Sequence, residues 1–295
     1  MTSHTPVRPP VVVGVDGSDS ALDATAWAAT EARRRGLPLL LVHACVLPPI
    51  RHPASAADQS RWIDDLSANG QHILREAAAT ARAAAPGVEV GTDQRMGFAV
   101  DTLVEASTGA HAVVVGHRGL GGFTSMLVGS VAVALAAHAH SPVVVVRGPA
   151  PTTGPVVLGV DGSPASEAAI AFAFEEASVR SARLVAVHTW LDIAFTGAWT
   201  ALPSTIDWAA VAEDERLLLD QRLAGWQEKY PDVGVERRVL RDRPVRALLD
   251  AAERAQLIVV GTRGHGPVVG MGLGSTSQAL LHHADCPVAV VRTRR

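Results

Sequence analysis

The sequence predicts an α/β protein made of two tandem, doubly wound (Rossmann-like) domains, each a five-stranded parallel sheet flanked by four helices. Three observations predict this fold class. The chain has 295 residues, about twice the usual length of a domain. A motif near its start recurs halfway along. Short apolar runs alternate with helical patterns in both halves, as parallel βαβ units require.

Composition narrows the class of protein further. Hydrophobic residues make up 48% of the chain and charged residues 19%, which is enough apolar material for packed cores. The net charge of −3 gives no positive field to attract a nucleic acid or an anionic membrane. The two cysteines, Cys45 and Cys286, are too few for a disulfide framework, and we expect both to be small buried hydrophobes.

Neither a signal peptide nor a membrane span is expected. The first ten residues contain no apolar core, and no run of about 18 apolar residues follows. We therefore expect a cytoplasmic protein that binds neither nucleic acid nor membrane.

An internal repeat relates the two halves of the chain. The segment VVVGVDGS at 11–18 recurs as VVLGVDGS at 156–163, 145 residues later, and the same offset relates Gly129 to Gly274. The stretch RGPAPTTGP at 147–155 has the composition of a linker. This repeat predicts two copies of one domain. Their predicted bounds are 1–148 and 155–295.

The strands of each copy are predicted from its apolar runs. Runs such as VVVGV and AVVVG are apolar on both faces, as expected of strands that helices cover on each side of a parallel sheet. In the first copy the predicted strands are 11–15, 38–44, 88–93, 111–115 and 142–147.

The first helix of each copy carries clear start and stop signals. In the first copy it is predicted to begin at Ser18, a good N-cap, and to end at three arginines followed by Gly36. In the second copy Ser163 is the predicted N-cap and Pro164 occupies the first helical position. Right-handed crossovers then give a doubly wound sheet, which binds ligands beyond the carboxyl ends of its strands.

A glycine-rich loop follows the fourth strand of each copy. It is GHRGLGGFTSMLVGS at 116–130 and GTRGHGPVVGMGLGS at 261–275, and both fit G-x2-G-x9-G-S. Glycines leave backbone N–H groups exposed, and a helix is predicted to start at Ser130, so a polyphosphate could lie there with Arg118 or Arg263 as an added cation. The alternative is a purely structural loop in which Ser130 is an N-cap.

Two further positions lie at the rim of the same predicted cleft. Asp16 and Asp161 end the first strands, where a carboxylate could accept a ribose hydroxyl or meet a metal carried by phosphates. The alternative is a turn-forming aspartate. At the end of the second strands, we expect the backbone of Val42 and Val187 to face a base, rather than the neighbouring imidazoles to do chemistry.

Two features of the second copy lie outside the predicted nucleotide site. Trp208 and Trp226 lie five helical turns apart, and with Val211, Leu218 and Leu219 they predict a core stripe. The segment ERRVLRDRPVR at 236–246 has no counterpart in the first copy. This segment is predicted to be either a solvated surface or a contact for a partner or a phosphate.

These motifs resemble the universal stress protein family, and in particular its tandem two-domain mycobacterial type. The resemblance rests on VGVDGS, on the loop with its nine-residue spacing found twice, and on the endings HAHSPVVVV at 138–146 and HADCPVAVV at 283–291. The resemblance implies that the strands of each sheet are in the order 3-2-1-4-5. It also implies that each domain binds ATP, with Mg²⁺, through the aspartate, the backbone at the end of strand two and the glycine loop. Because fifth strands pair across dimers in this family, the resemblance implies that the segments 142–147 and 287–292 pair within this chain. A homodimer is expected in addition.

The resemblance implies one set of nucleotide-binding residues in each copy. The first set is Gly14, Asp16, Val42, Gly116, His117, Arg118, Gly119, Gly121, Gly122, Gly129, Ser130 and Val131. The second is Gly159, Asp161, Val187, Gly261, Thr262, Arg263, Gly264, Gly266, Gly274, Ser275 and Thr276. Pro267 removes one N–H donor from the second loop.

The function expected on these grounds is a nucleotide-responsive stress or growth regulator. No residue is evidently poised as a base beside a γ-phosphate, so hydrolysis is expected to be slow or absent, and no catalytic residue and no metal ligand set is predicted. One alternative is an adenylating or pyrophosphatase-type enzyme, although the S-G-G-x-D-S and Walker loops are missing. The other is a protein-interaction module with vestigial ATP sites.

Overall fold

The computed structural model describes residues 8–46, 56–120, 128–190, 207–264 and 272–293. The chain divides into two compact units, Met1–Pro149 and Ala150–Arg295. The predicted linker lies across this division.

The first unit is a parallel sheet covered by two pairs of helices. Its strand order is β3-β2-β1-β4-β5. Helix α1 packs on α2, and α3 packs on α4. The strands are β1 (Val11–Gly14), β2 (Leu39–Cys45), β3 (Val90–Met96), β4 (Ala112–Gly116) and β5 (Val143–Val146), and the helices are α1 (Asp19–Arg35), α2 (Ala56–Ala84), α3 (Ala99–Ser107) and α4 (Ser130–His138).

The second unit repeats this arrangement. Its strand order, β8-β7-β6-β9-β10, is again 3-2-1-4-5 within the unit, and all of its pairings are parallel. The strands are β6 (Val156–Val160), β7 (Leu184–Thr189), β8 (Val235–Leu240), β9 (Leu257–Gly261) and β10 (Val288–Val291), and the helices are α5 (Pro164–Val179), α6 (Trp208–Lys229), α7 (Pro244–Ala251) and α8 (Ser275–His283). The predicted fold class and strand order are confirmed.

The predicted helix ends are confirmed because they depend on local chemistry. The Ala21 N–H donates to the Ser18 hydroxyl at 3.2 Å, and Gly36 ends α1 with a φ of 62°, in the left-handed region that glycine adopts most easily. In the second unit the Ser166 N–H donates to Ser163 at 3.3 Å, and Pro164 follows that cap.

Strand β3 lies further along the chain than predicted. The apolar pattern suggested 88–93, whereas the strand is Val90–Met96. It is an edge strand, hydrogen-bonded only to β2 within this unit's described sheet, and its residues are half-buried or exposed. Polar residues are therefore tolerated there, and hydrophobicity does not mark the end of the strand.

The core stripe predicted on α6 is largely wrong. The helix does contain both tryptophans, but of the five predicted residues only Leu219 is buried. Trp208 instead stacks on Trp190, and Trp226 stacks on Phe174; the three tryptophans are half-buried, whereas Phe174 is fully buried. These aromatic partners lie outside α6, so the spacing of residues along that helix does not reveal them.

The arginine-rich segment behaves as a solvated, ion-paired surface. Arg237 pairs with Asp220 of α6, and Arg238 pairs with Glu236 on its own strand. The two cysteines are buried and unbridged, as predicted. Burial, followed by the charge of Asp285, raises the pKa of Cys286 to about 12, so this thiol is unreactive. None of the helices described is long and apolar enough to cross a membrane.

Candidate functional site

A cavity of about 560 Å³ opens beyond the carboxyl ends of β1 and β4 in the first unit. These strands are neighbours at the point where the chain order of the sheet reverses, which is where doubly wound sheets bind ligands. Of the predicted site residues, nine line the cavity: Gly14, Asp16, Val42, Gly116, Arg118, Gly119, Gly129, Ser130 and Val131.

Asp16 joins the end of β1 to the glycine loop. Its Oδ1 accepts hydrogen bonds from the N–H (3.0 Å) and hydroxyl (2.7 Å) of Ser18, which is the turn-forming role considered above. Its Oδ2 accepts a hydrogen bond from the Leu120 N–H, 2.9 Å away in the loop after β4. The helix cap is Ser18 itself, so Asp16 organises the turn and also ties down the loop.

The loop passes so close to this carboxylate that a side chain in the loop would have to displace it. A Cβ added at Gly119 would lie 2.3 Å from Asp16 Oδ2. In the second unit, a Cβ at Gly264 would lie 2.2 Å from Asp161 Oδ2. In both copies, glycine at this position therefore lets the aspartate carboxylate keep its place against the loop.

The N-terminus of α4 faces the same cavity. The N-cap is Gly129, without a side-chain hydrogen bond, and its own N–H donates to the His117 carbonyl at 2.8 Å. Ser130 is the first helical residue and lines the cavity, so the alternative that it merely caps the helix is wrong. The N–H groups of this first turn have no intrahelical partner. Helix α8 begins in the same way, with the Gly274 N–H donating to the Thr262 carbonyl at 2.7 Å.

His117 and Thr262 do not line the cavities, although the motif includes them. Instead, their carbonyls accept hydrogen bonds from the N–H groups of the N-cap glycines of α4 and α8. The His117 ring packs beneath the loop, with Nδ1 at 2.9 Å from the Ser20 hydroxyl. Its pKa is lowered from the ordinary value by burial and then by the nearby charges of Arg147 and Arg118.

The end of β2 contributes side chains rather than free backbone. The carbonyl of Val42 already accepts a hydrogen bond from the Val15 N–H at 2.9 Å. Val42 and Ala44, two positions apart on one face of the strand, both line the cavity. Between them, His43 points to the other face, where its Nδ1 donates to the Val15 carbonyl at 2.8 Å.

Sequence reasoning missed the apolar wall supplied by α3. Ala99 and Leu103, four residues apart on one face of that helix, line the cavity. Leu103 also explains Gly14, since a Cβ there would lie 2.6 Å from Leu103 Cδ1. The helical periodicity could have identified the buried face of α3, but nothing local identifies which cavity that face borders.

The second unit has the equivalent cavity, of about 730 Å³. It too is lined by nine of the predicted residues: Gly159, Asp161, Val187, Gly261, Arg263, Gly264, Gly274, Ser275 and Thr276. It also has lining residues that were not predicted, including Trp190, Glu215 and Arg222. Some positions of the glycine loops lie outside the described residues. They include the predicted site residues Gly121, Gly122 and Gly266, and Pro267, which removes one N–H donor from the second loop.

Fold and site together define a tandem, doubly wound α/β protein with one cavity at the switch point of each sheet. The model of the universal stress protein family matches residues 8–147 and again 152–292. A universal stress protein of Mycobacterium tuberculosis is 41% identical over 300 residues, covering 96% of both chains. One of Mycolicibacterium smegmatis is 40% identical over 291 residues, covering 96% of this chain and 97% of its own. A universal stress protein crystal structure from Archaeoglobus fulgidus covers 96% of both chains with a TM-score of 0.68 at 20% identity, and so has the same fold.

The chain belongs to the universal stress protein family, with two family domains in tandem.

Proposed function

We propose that each unit binds ATP with Mg²⁺ and that the protein is a nucleotide-responsive regulator with slow or no ATP hydrolysis. One observation carries the proposal. The glycine loop, the carboxylate that ends the first strand and an uncapped helix N-terminus meet in a single cavity, and they do so twice in the chain.

The phosphates are assigned to the loop and the helix start. The first-turn N–H groups at Ser130 and Val131 carry the positive end of the helix dipole, and the Ser130 hydroxyl adds a donor. Arg118, exposed at the rim, adds a cation that can fork onto phosphate oxygens. Mg²⁺ would arrive with the nucleotide and neutralise phosphate charge, and Asp16 is the lining carboxylate that would face it.

The nucleoside is assigned to the apolar side of the cavity. Val42, Ala44 and Leu103 give an apolar surface suited to a base, while Asp16 Oδ2 can exchange its bond to the Leu120 N–H for a ribose hydroxyl. Binding would then loosen the tie between Asp16 and the glycine loop. This exchange is the proposed route by which occupancy changes the loop at the protein surface.

The lining of the first cavity supports a binding role over a catalytic one. Among its described lining residues, Asp16 and Arg118 are the titratable side chains, and both oxygens of Asp16 already accept hydrogen bonds. Across the described ranges, no group of three or more His, Cys, Asp or Glu side chains could hold a metal ion. An attacking water in the first cavity would therefore lack a free base.

Calorimetric titration of nucleotide-free protein with Mg-ATP tests the proposal. We expect two equivalents to bind. Gly119→Ala should remove one and Gly264→Ala the other, because the new methyl group collides with Asp16 or Asp161. The matched control is Gly109→Ala, where an added Cβ meets nothing within 4 Å, and it should keep both equivalents.

Failure to bind any adenine nucleotide would contradict the proposal. A silent ATPase assay would not, because the proposal requires binding and not turnover.

A further inference from the structure

The second cavity has described lining residues whose equivalents do not line the first cavity. Six of them lie in the turn after β6, at and just after the end of β7, and along α6, and they are Gly162, His188, Trp190, Glu215, Leu218 and Arg222. Their equivalents 145 positions earlier are Gly17, His43, Cys45, Gly70, Ile73 and Ala77, and none of these lines the first cavity. We call the six residues of the second unit the α6 wall.

Close packing explains why the first unit has no such wall. A Cβ at Gly70 would lie 2.5 Å from Gln94 Nε2 and 2.9 Å from the His43 ring, so α2 lies directly against β2 and β3 there. The side chain of Ile73 likewise fills the space over Gly17, 3.1 Å from a Cβ built there. In the second unit a glutamate replaces the glycine, and the cavity extends over the strand ends to reach it.

Trp190 gives the α6 wall a flat aromatic surface held in a fixed orientation. Its ring stacks on Trp208, with centroids 5.9 Å apart and planes 25° from parallel. The guanidinium of Arg241 lies 4.1 Å from the Trp208 centroid and fixes the pair further. Aromatic side chains of this kind stack on nucleobases without distinguishing one base from another.

Glu215 adds a hydrogen-bond acceptor that is also held in place. Its Oε2 lies 2.7 Å from Nε2 of His188, and His188 is 5% exposed, with Nδ1 donating to the Val160 carbonyl at 2.8 Å. The other oxygen of Glu215, Oε1, has no hydrogen-bond partner in the described part of the chain. A carboxylate offers about four acceptor sites, so Glu215 can still accept from a ligand in the cavity.

We propose that the second cavity binds a guanine nucleotide in preference to an adenine nucleotide, with Glu215 as the residue that selects the base. The proposal rests on the nucleotide-binding function proposed above. Guanine presents two N–H donors side by side, at N1 and at its 2-amino group, and a carboxylate can accept from both. Adenine presents one amine there, and its N1 is an acceptor that a carboxylate repels. The first cavity has glycine at the equivalent position and cannot make this distinction.

The test compares GTP and ATP, each with Mg²⁺, by calorimetry on full-length Gly119→Ala protein, in which the first cavity is disabled. We expect GTP to bind roughly tenfold more tightly than ATP, the size of discrimination that a paired hydrogen bond to a base provides. Glu215→Gln keeps the shape of the side chain but replaces one carboxylate oxygen with an amide N–H donor, so the side chain can no longer accept from both guanine N–H groups and no longer repels adenine N1. It should therefore weaken GTP binding and abolish the preference for GTP over ATP. Trp190→Leu should weaken both nucleotides by similar factors.

The possible failures are distinguishable, and thermal melts of each variant establish that it is folded. If ATP binds the second cavity as tightly as GTP, or if Glu215→Gln leaves the ratio unchanged, the base preference is wrong and nucleotide binding stands. If neither nucleotide binds Gly119→Ala protein, nucleotide binding at the second cavity is wrong as well.

Discussion

At the scale of single residues, each candidate site depends on an aspartate and a glycine about a hundred positions apart. Asp16 holds the turn after β1 with one oxygen and the loop after β4 with the other, and Gly119 permits this approach. Both residues stand out in the sequence as motif members. Their mutual contact does not, because it forms only when β1 and β4 become neighbours in the sheet.

His117 gives the first unit a pH dependence that the second unit lacks, since Thr262 is its equivalent. Burial lowers the pKa of His117 below its ordinary value of 6.5, so the unfolded chain takes up this proton at a higher pH than the folded unit. The stability contributed by neutral His117 is therefore complete above about pH 6.5 and is lost as the pH falls below it.

We expect His117→Thr, which introduces the residue found at the equivalent position of the second unit, to reduce this loss of stability at low pH. Denaturant midpoints measured over a pH series for wild-type and variant protein provide the check. Parallel pH profiles for the two proteins would show that His117 is not the group responsible.

At the scale of elements, two glycines within helices, one exposed and one closely packed, should respond in opposite ways to replacement by alanine. Gly225 of α6 is exposed, and an added Cβ meets nothing within 4 Å. Gly225→Ala should therefore stabilise the protein by about 0.5 to 1 kcal/mol through helix propensity alone.

Gly70→Ala in α2 should instead destabilise the protein, by about 1 kcal/mol or more. The methyl group would displace Gln94, which donates to Cys45 Sγ at 3.3 Å, and would press on the His43 ring. Chemical denaturation of both variants measures the difference. Equal effects of the same sign would show that α2 does not pack tightly against the sheet at Gly70.

The sequence predicts an element well when that element depends on residues close together in the chain, and poorly when it depends on tertiary contacts. The caps at Ser18 and Gly36 were predictable because they need two or three consecutive residues. The extent of β3 was not, because an edge strand tolerates polar residues. The α6 wall was not predictable either, since the fold brings Trp190, just after β7, and Glu215 of α6 to the same cavity, whereas the repeat itself suggested two equivalent sites.

At the scale of the whole molecule, each unit is compact and has its own cavity. A ligand bound in one cavity should therefore stabilise chiefly the elements that surround it. We expect Mg-ATP to slow hydrogen exchange in Gly119→Ala protein at the ends of β6, β7 and β9 and at the start of α8, but not at their equivalents in the first unit.

Exchange measured by mass spectrometry with and without nucleotide provides the comparison, and Gly264→Ala should give the converse pattern. Equal protection of both units from a single functional cavity would show instead that the units respond as one.

The stacked indoles of Trp190 and Trp208 also give the protein an optical property. Two tryptophans at 5.9 Å couple their electronic transitions, and such coupling produces a paired positive and negative band in the ultraviolet circular dichroism spectrum. Trp190 lines the second cavity, whereas the equivalent residue of the first unit is Cys45. Occupancy of the second cavity should therefore change this band while occupancy of the first leaves it unaltered, so the chain carries a label-free reporter for one of its two sites.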